Sequence, residues 1–377
     1  MIDFSSSGLQ QLVTVELLNR KRQSINALDG VRSISVERNQ YATPSTGGQL
    51  EIFLEQDLDL NATSFRIWVT VKQNGEQENY PLLTGIPVVT GRNRTARAHE
   101  ELTLKLLDYT RLLDVPLGKA YSLAPGDFVT AKVRELLLSV GATDASVTES
   151  NTTVSNGMYW PATETKRRVV NDLLASIGYR AIWADAWGKL RAEPYVSPAD
   201  RPVLPERGFE HGVTCTYRPA FTIDHDTSDV PNHAVITPRM AGELEPVVGE
   251  AWLPPEHPLS YETRQLEVPY TEAEVDLSVQ ALEEDPTPAQ ISAYVARMQE
   301  AATAYAARKL QQLTGPTRSY QVSNRWRPFE LQDVTRFTAP AVDYSPAIDT
   351  RVSIIKDSVR YEAGGTLSVT TTLQEVN

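Results

Sequence analysis

Hydrophobic and polar residues alternate with period two along most of this chain, and in a few places the period lengthens to that of a helix. In the first third, residues 12–17, 31–36, 50–54, 65–71, 80–86 and 101–108 each place apolar side chains on one face of an extended segment. Between two of these runs stands Asn74-Gly75. That pair tolerates φ > 0 at both central positions of a tight turn, so it predicts a hairpin. Short strands at this spacing bury their apolar faces by curling over one another, which predicts a small antiparallel barrel or sandwich over residues 1–114.

The period then changes. Residues 127–138 turn Phe128, Val133, Leu136 and Leu137 to one side, with Gly126-Asp127 as a start and Gly141 as a stop. Residues 158–195 form the best-defined unit of the chain. Thr163 is the expected N-cap of a helix whose apolar stripe is Val169, Val170, Leu173, Leu174 and Ile177, and Gly178 ends it. A β-hairpin follows, with Tyr179, Ala181, Trp183 and Asp185 on one side of its first strand, a turn at Ala186-Trp187-Gly188 and a return strand to Pro194 and Tyr195. Helix plus hairpin predicts an α+β accessory domain over residues 115–203.

Strands reappear at 213–217 and 232–237. Residues 241–275 are rich in Pro and Glu, with 252–255 expected as a stiff surface loop. Thr287-Pro288 opens a long helix with Ile291, Tyr294, Val295, Met298, Ala301, Ala302, Tyr305 and Leu310 on one face and Gly315-Pro316 as its stop. The chain ends in strands at 320–322, 334–337, 351–355 and 366–370, with Gly364-Gly365 turning the last hairpin. The strands on either side of the long helix are too few to stand alone. Residues 204–240 and 316–377 are therefore expected to pair into a second β-barrel, interrupted by a helical insertion over 241–315. The expected fold is β-rich α+β and multidomain, with two small antiparallel barrels, the second discontinuous.

Composition narrows the class. A chain of 377 residues with 41% hydrophobic and 22% charged residues has ample material for several cores. Its net charge of −12 argues against a surface that binds nucleic acid by neutralising phosphates. One cysteine, Cys215, excludes an internal disulfide and a cysteine zinc site. The N-terminal MIDFSSSGLQ has neither the charged nor the apolar region of a secretory signal, and no apolar run approaches the roughly 18 residues of a membrane span. A soluble protein made in the cytoplasm is expected.

Candidate chemistry is sparse. Asp224-His225-Asp226 with Asp229 and His233 is the best metal candidate, yet its spacing fits no metal motif and an ordinary polar loop explains it. Glu100-Glu101 and Glu283-Glu284-Asp285 lack the framing of a glycosidase pair. No nucleophile elbow, HExxH, P-loop or GxGxxG motif is present. No catalytic, cofactor-binding or metal residue is assigned, and no cofactor is expected. Lys166, Arg167 and Arg168 form the one compact basic cluster, on the polar side of the 164–177 helix. Tyr159, Trp160, Trp183, Trp187 and Tyr195 are dense for so short a stretch; core packing accounts for Trp183, whereas Trp187 in its turn asks for a partner. These four, Trp187, Lys166, Arg167 and Arg168, are the candidate protein-interface residues.

In this domain order the chain resembles the hub proteins of long bacteriophage tails and of contractile injection systems. The residues that carry the likeness are the N-terminal strands, VVNDLLASIGYRAIWADAWGKLRAEPY, NHAVITP, YAARKLQQLTGPTRSYQV, LQDVTRF and the closing GGTLSVTTTL. The resemblance implies a non-enzymatic homotrimer of the virion tail tip or baseplate. Two barrels per chain would make a pseudo-six-fold ring that joins the six-fold tail tube, or a distal tail protein, to a three-fold spike or central fibre. Phage DNA would pass through without specific binding. Three copies at −12 would carry −36 formal charges, a lumen suited to letting a polyanion slide. The competing function is a tail-associated cell-wall hydrolase or a carbohydrate-binding receptor module.

Overall fold

In β1 (Gln10–Leu18) alternate residues Val15 and Leu17 turn inward, and the following strands repeat the pleat. These are β2 (Ser24–Ala27), β3 (Val31–Asn39), β4 (Thr46–Leu54), β5 (Ser64–Gln73), β6 (Glu76–Arg94) and β7 (Glu100–Asp108). They pair antiparallel in the order β2-β1-β5-β6-β7-β4-β3. Asn74 (φ 48°) and Gly75 (φ 86°) make the expected tight hairpin between β5 and β6. The inner faces supply a core that includes Leu50, Ile52, Phe65, Ile67, Val69, Leu102 and Leu104. This computed structural model describes the chain apart from residues 1, 5, 7, 43–44, 55–58, 95–99, 155–156, 213–216, 225–227, 242–243, 278, 280–281, 283–285, 315–317, 343–344, 366 and 377.

After a 3-10 turn at Tyr109–Leu113 come β8 (Tyr121–Leu123), α1 (Val129–Ser139), β9 (Ser146–Val147), β10 (Met158–Trp160), α2 (Lys166–Ser176), β11 (Trp183–Ala184) and β12 (Leu190–Ala192). α1 and α2 pack on each other and share a core with these short strands. Three local expectations need correction. Thr165, not Thr163, caps α2, its hydroxyl accepting from the Arg168 amide at 3.2 Å. Phe128 sits just before α1 and is 53% exposed rather than inward. The hairpin is shorter than its alternation suggested, because β12 also pairs parallel with β9 and only two registers join β11 to β12.

The remainder contains β13 (Phe209–Glu210), β14 (Tyr217–Asp224), β15 (His233–Pro238), β16 (Gly249–Trp252), α3 (Tyr261–Arg264), β17 (Pro269–Val275), α4 (Pro288–Leu313), β18 (Ser319–Asn324), β19 (Val334–Ala339), β20 (Ile348–Glu362) and β21 (Ser368–Glu375). Pairing across the insertion is real, since β14 runs antiparallel to β18 and β13 parallel to β19. β15 is the exception. Expected in the second barrel, it instead centres a three-stranded sheet with β16 and β17, and that sheet packs on α4. Residues 249–252 and 269–275, where no strand was expected, are thus strands, and Trp252, expected at the start of a surface loop, ends the first of them. α4 starts at a full capping box, with Thr287 and Gln290 bonded reciprocally, and buries Tyr294, Met298, Ala302, Tyr305, Ala306 and Leu310. The expected Gly315-Pro316 stop and the 213–216 part of a strand lie outside the described residues.

Among the described residues the strands do not divide into two closed barrels. Those of the first third and the last third join in one 13-stranded sheet, whose main path runs β14-β18-β21-β20-β3-β4-β7-β6-β5-β1-β2 without closing on itself. The seam is β3 against β20, from Asn39↔Lys356 to Ser33↔Glu362. Beside it the Arg38 guanidinium meets the fully buried Asp357 carboxylate through Nε at 2.7 Å and Nη2 at 2.8 Å, and Arg38 Nη1 donates to the Phe329 carbonyl at 3.0 Å. Among the described residues no helix is long and apolar enough to cross a membrane, which says nothing of a β-barrel.

Candidate functional site

The turn that carries Trp187 is built by Asp185. Its Oδ1 accepts from the amides of Trp187 (3.1 Å) and Lys189 (2.9 Å), while Oδ2 holds Arg191. Gly188, at φ 78°, closes the turn in the left-handed region. Because the turn is preorganised, it presents its backbone outward, and the N-terminal sheet takes it. Thr84 on β6 donates its hydroxyl to the Ala186 carbonyl at 2.7 Å, and Arg22 donates to the Gly188 carbonyl at 2.7 Å. A Cβ on Gly188 would lie 2.9 Å from the Tyr109 ring and 3.2 Å from Thr84, so the approach needs glycine.

Trp187 therefore has a partner in its own chain. It meets Trp68 of β5 edge-on, with centroids 5.3 Å apart, and the Arg66 guanidinium lies over it at 5.0 Å. Arg66 is fixed in turn by Thr84 at 2.9 Å and faces Glu16 at 3.6 Å, and Glu16 also accepts from the Trp68 indole at 3.0 Å. Burial pulls the Arg66 pKa below its ordinary value, with Glu16 opposing. Arg22 adds an ion pair to Asp144 and lies over the Tyr109 ring, so the accessory unit is tied to the sheet by charge as well as by rings. Half of the Trp187 surface remains exposed. Trp187→Ala is expected to cost about 1 kcal/mol and to loosen residues 183–192 from β5. Loss of the indole exciton couplet in circular dichroism and faster hydrogen exchange over that hairpin would report it; unchanged exchange with lost self-association would make Trp187 a partner contact instead.

The basic cluster does not form one patch. Lys166 reaches the Ser139 hydroxyl on α1 at 2.8 Å. Arg167 is buried and pairs with Asp114 at 2.7 Å, which corrects its expected place on the polar side of the helix. It sits three residues before Val170 and seven before Leu174, on the face that packs inward. Arg168 alone points away, pairs with Asp172 at 3.0 Å and lines a cleft of about 880 Å³ between α2, α4 and β16.

The metal candidate is not assembled among the described residues. Asp224 ends β14 and His233 begins β15 in a different sheet, while His225 and Asp226 fall outside the described residues, as does His99. His233 is instead buried, with Nδ1 2.7 Å from Glu267 and its ring stacked on Trp252 at 3.6 Å. Among the described residues no group of three metal-ligating side chains occurs. Glu101 pairs with Arg32 across the sheet, and Glu283-Glu284-Asp285 lies outside the described residues. Sequence reasoning missed Trp252. The signal was its place at the end of the short alternating run Gly249-Glu250-Ala251-Trp252, which was too brief to read as a strand.

With this architecture in hand, solved structures provide a match. The tail protein from Neisseria meningitidis MC58 superposes with a TM-score of 0.64 at 13% identity, over 96% of this chain and 96% of that one. The 43 kDa tail protein of prophage MuSo2 from Shewanella oneidensis gives 0.58 at 14% identity, over 96% and 98%. This chain has the tail-protein fold. A chain of the half-lidded PdpA-VgrG complex of Francisella is similar at a TM-score of 0.55 and 10% identity, and there the tail-protein fold spans 58% of the longer chain. No family model and no curated protein matches the sequence.

Proposed function

We propose that this chain is a structural, non-enzymatic hub of a bacteriophage tail tip or baseplate, carried in the virion. Three copies close into a ring, and each contributes two β lobes, residues 1–114 and residues 204–231 with 316–377. Six quasi-equivalent lobes then face the six-fold tail tube or distal tail protein, and the three-fold face takes a spike or central fibre. The observation that carries this reading is that the tail-protein fold extends over 96% of both chains in the Neisseria match.

The sheet supports it physically. An open path has two ends, here β2 and β14, and both strands are largely exposed along their length. Exposed edges of this kind invite pairing with another chain unless they are covered. A ring in which the sheet of one copy meets the next would cover them. The acidic balance, −36 over three copies at −12 each, suits a channel through which DNA slides without being held.

Sedimentation velocity and mass photometry on the purified chain test the assembly. The expected species has the mass of three copies, and a monomer at every concentration counts against the ring. Turnover of purified peptidoglycan would move the assignment to a tail-associated hydrolase.

A further inference from the structure

The cleft that Arg168 lines includes no residue of β2 or β14, the edges the proposed ring would join, and its chemistry is specific. It holds about 880 Å³, within the range of pockets that enclose small ligands rather than the flat footprint of a globular partner. Its walls come from widely separated parts of the sequence, namely Gln40 and Tyr41, α2, residues 195–199, β16, the end of α4, and the final strand.

Three features define what fits. First, every formal charge on the wall is already neutralised within the chain: Arg168 by Asp172 at 3.0 Å, Lys309 by Glu272 at 3.6 Å, and Arg180 by Glu193 at 3.1 Å. An ionic ligand would have to break one of these pairs, so a neutral one is favoured. Second, six primary amides line the space, those of Gln40, Asn171, Gln311, Gln312, Gln332 and Gln374. A primary amide offers two donors and an acceptor with two lone pairs. Gln374 already accepts from the Tyr41 hydroxyl at 2.7 Å; Asn171 gives its oxygen to the Ile182 amide at 3.0 Å and Gln332 its oxygen to Arg201, so the side-chain nitrogens of these last two remain as donors for a ligand rich in hydroxyls.

Third, the cleft has a fixed aromatic platform. Trp252 stacks on His233 with an interplanar angle of 10°, and the Tyr261 ring abuts it at 76°. His233 is held from behind by Glu267 and does not line the cleft, whereas Trp252 does and keeps 47% of its surface exposed. One indole face is spent on the histidine, and the surface that Trp252 keeps exposed belongs to a ring held in place from two sides. A flat apolar ring beside neutral donors and acceptors is the complement of a pyranose, which shows axial C–H bonds on one face and hydroxyls at its rim.

We propose that this cleft binds a neutral oligosaccharide, with a sugar ring on Trp252 and its hydroxyls on the amides. The site is separate from Trp187, which is occupied by Trp68 and Arg66. It does not depend on the chain acting as a hub.

The test is titration calorimetry and ligand-observed NMR on the full-length chain with maltotetraose, cellotetraose and chitotetraose as probes. At least one probe is expected to bind, with Trp252→Ala weakening it about ten-fold or more. Leu313→Trp, an exposed cleft residue on the last turn of α4, is expected to block the space and weaken binding similarly without removing the platform. Trp187→Ala is expected to leave binding unchanged. Far-ultraviolet circular dichroism and thermal melting establish that each variant is folded. Binding of none of the probes overturns the proposal, as does binding that survives both Trp252→Ala and Leu313→Trp in folded protein. Tight binding confined to acidic sugars would contradict the charge argument and overturn it as well.

Discussion

Asp357→Asn is expected to destabilise the chain by about 3 kcal/mol, the lower end of what removing one partner of a buried ion pair costs. The carboxylate is fully buried and receives two charge-assisted hydrogen bonds from Arg38, which itself is buried at the β3–β20 seam. Burial is the strongest single influence and drags the Arg38 pKa down; Asp357, with Glu330 and Asp333 adding to it, more than offsets that and holds the guanidinium above its ordinary value. Asparagine keeps the shape and removes the charge, so a guanidinium is left in the seam with one neutral acceptor and the Phe329 carbonyl. The loss is specific to leaving a charge unpaired. A double variant, Arg38→Met with Asp357→Leu, should therefore recover much of the stability, because the pair's own desolvation cost vanishes with it. Urea denaturation of the three proteins measures this. A single variant within about 0.5 kcal/mol of the parent, the range of ordinary surface changes, would mean that the seam is wet and the lobes are joined by strand pairing alone.

Gly249→Ala should be as damaging, through a different cause. A Cβ there would lie 2.2 Å from the Ala302 carbonyl carbon and 2.4 Å from the Thr303 nitrogen, both backbone atoms of α4. Neither can rotate away, so β16 or the helix must move as a body. Ala302 is fully buried at the same contact, and Tyr294, Met298 and Leu310 depend on the same seating. The expected cost is about 3 kcal/mol, at the upper end of overpacking. Hydrogen exchange gives the sharper reading: protection should fall in α4 and β15–β17 while β5 and β6 keep theirs. A uniform loss across both would show the insertion and the large sheet unfolding as one unit.

How much of this was legible depends on distance along the chain. The first lobe was readable because each strand turns its apolar residues one way and Asn74-Gly75 fixes a turn locally. α4 was readable because its Thr287-Pro288 start and its stripe are local too. The join between lobes was not. Arg38 and Asp357 are 319 residues apart, and nothing in either neighbourhood names the other. β15 illustrates the same limit: His233–Pro238 reads as a strand, but its pairing with β16 and β17 rather than the large sheet is a tertiary choice.

The candidate interface residues divide in the same way. Arg167 was within reach, since counting helix positions puts it with Val170 and Leu174, and it was misplaced by treating Lys-Arg-Arg as one solvated block. Trp187 was singled out as a contact for a neighbouring chain, and what the fold sets against it is a residue of its own chain. That residue is Trp68, on a strand of the first lobe, which no local pattern could specify.

The hub reading stands or falls on where the protein sits and how many copies are there. Cryo-electron microscopy of intact particles, with this chain located by an antibody fragment or tag, measures both at once. Three copies in a ring at the end of the tail tube, with adjoining copies meeting along β2 and β14, is the predicted result. Six copies, or a position away from the tube end, would contradict it.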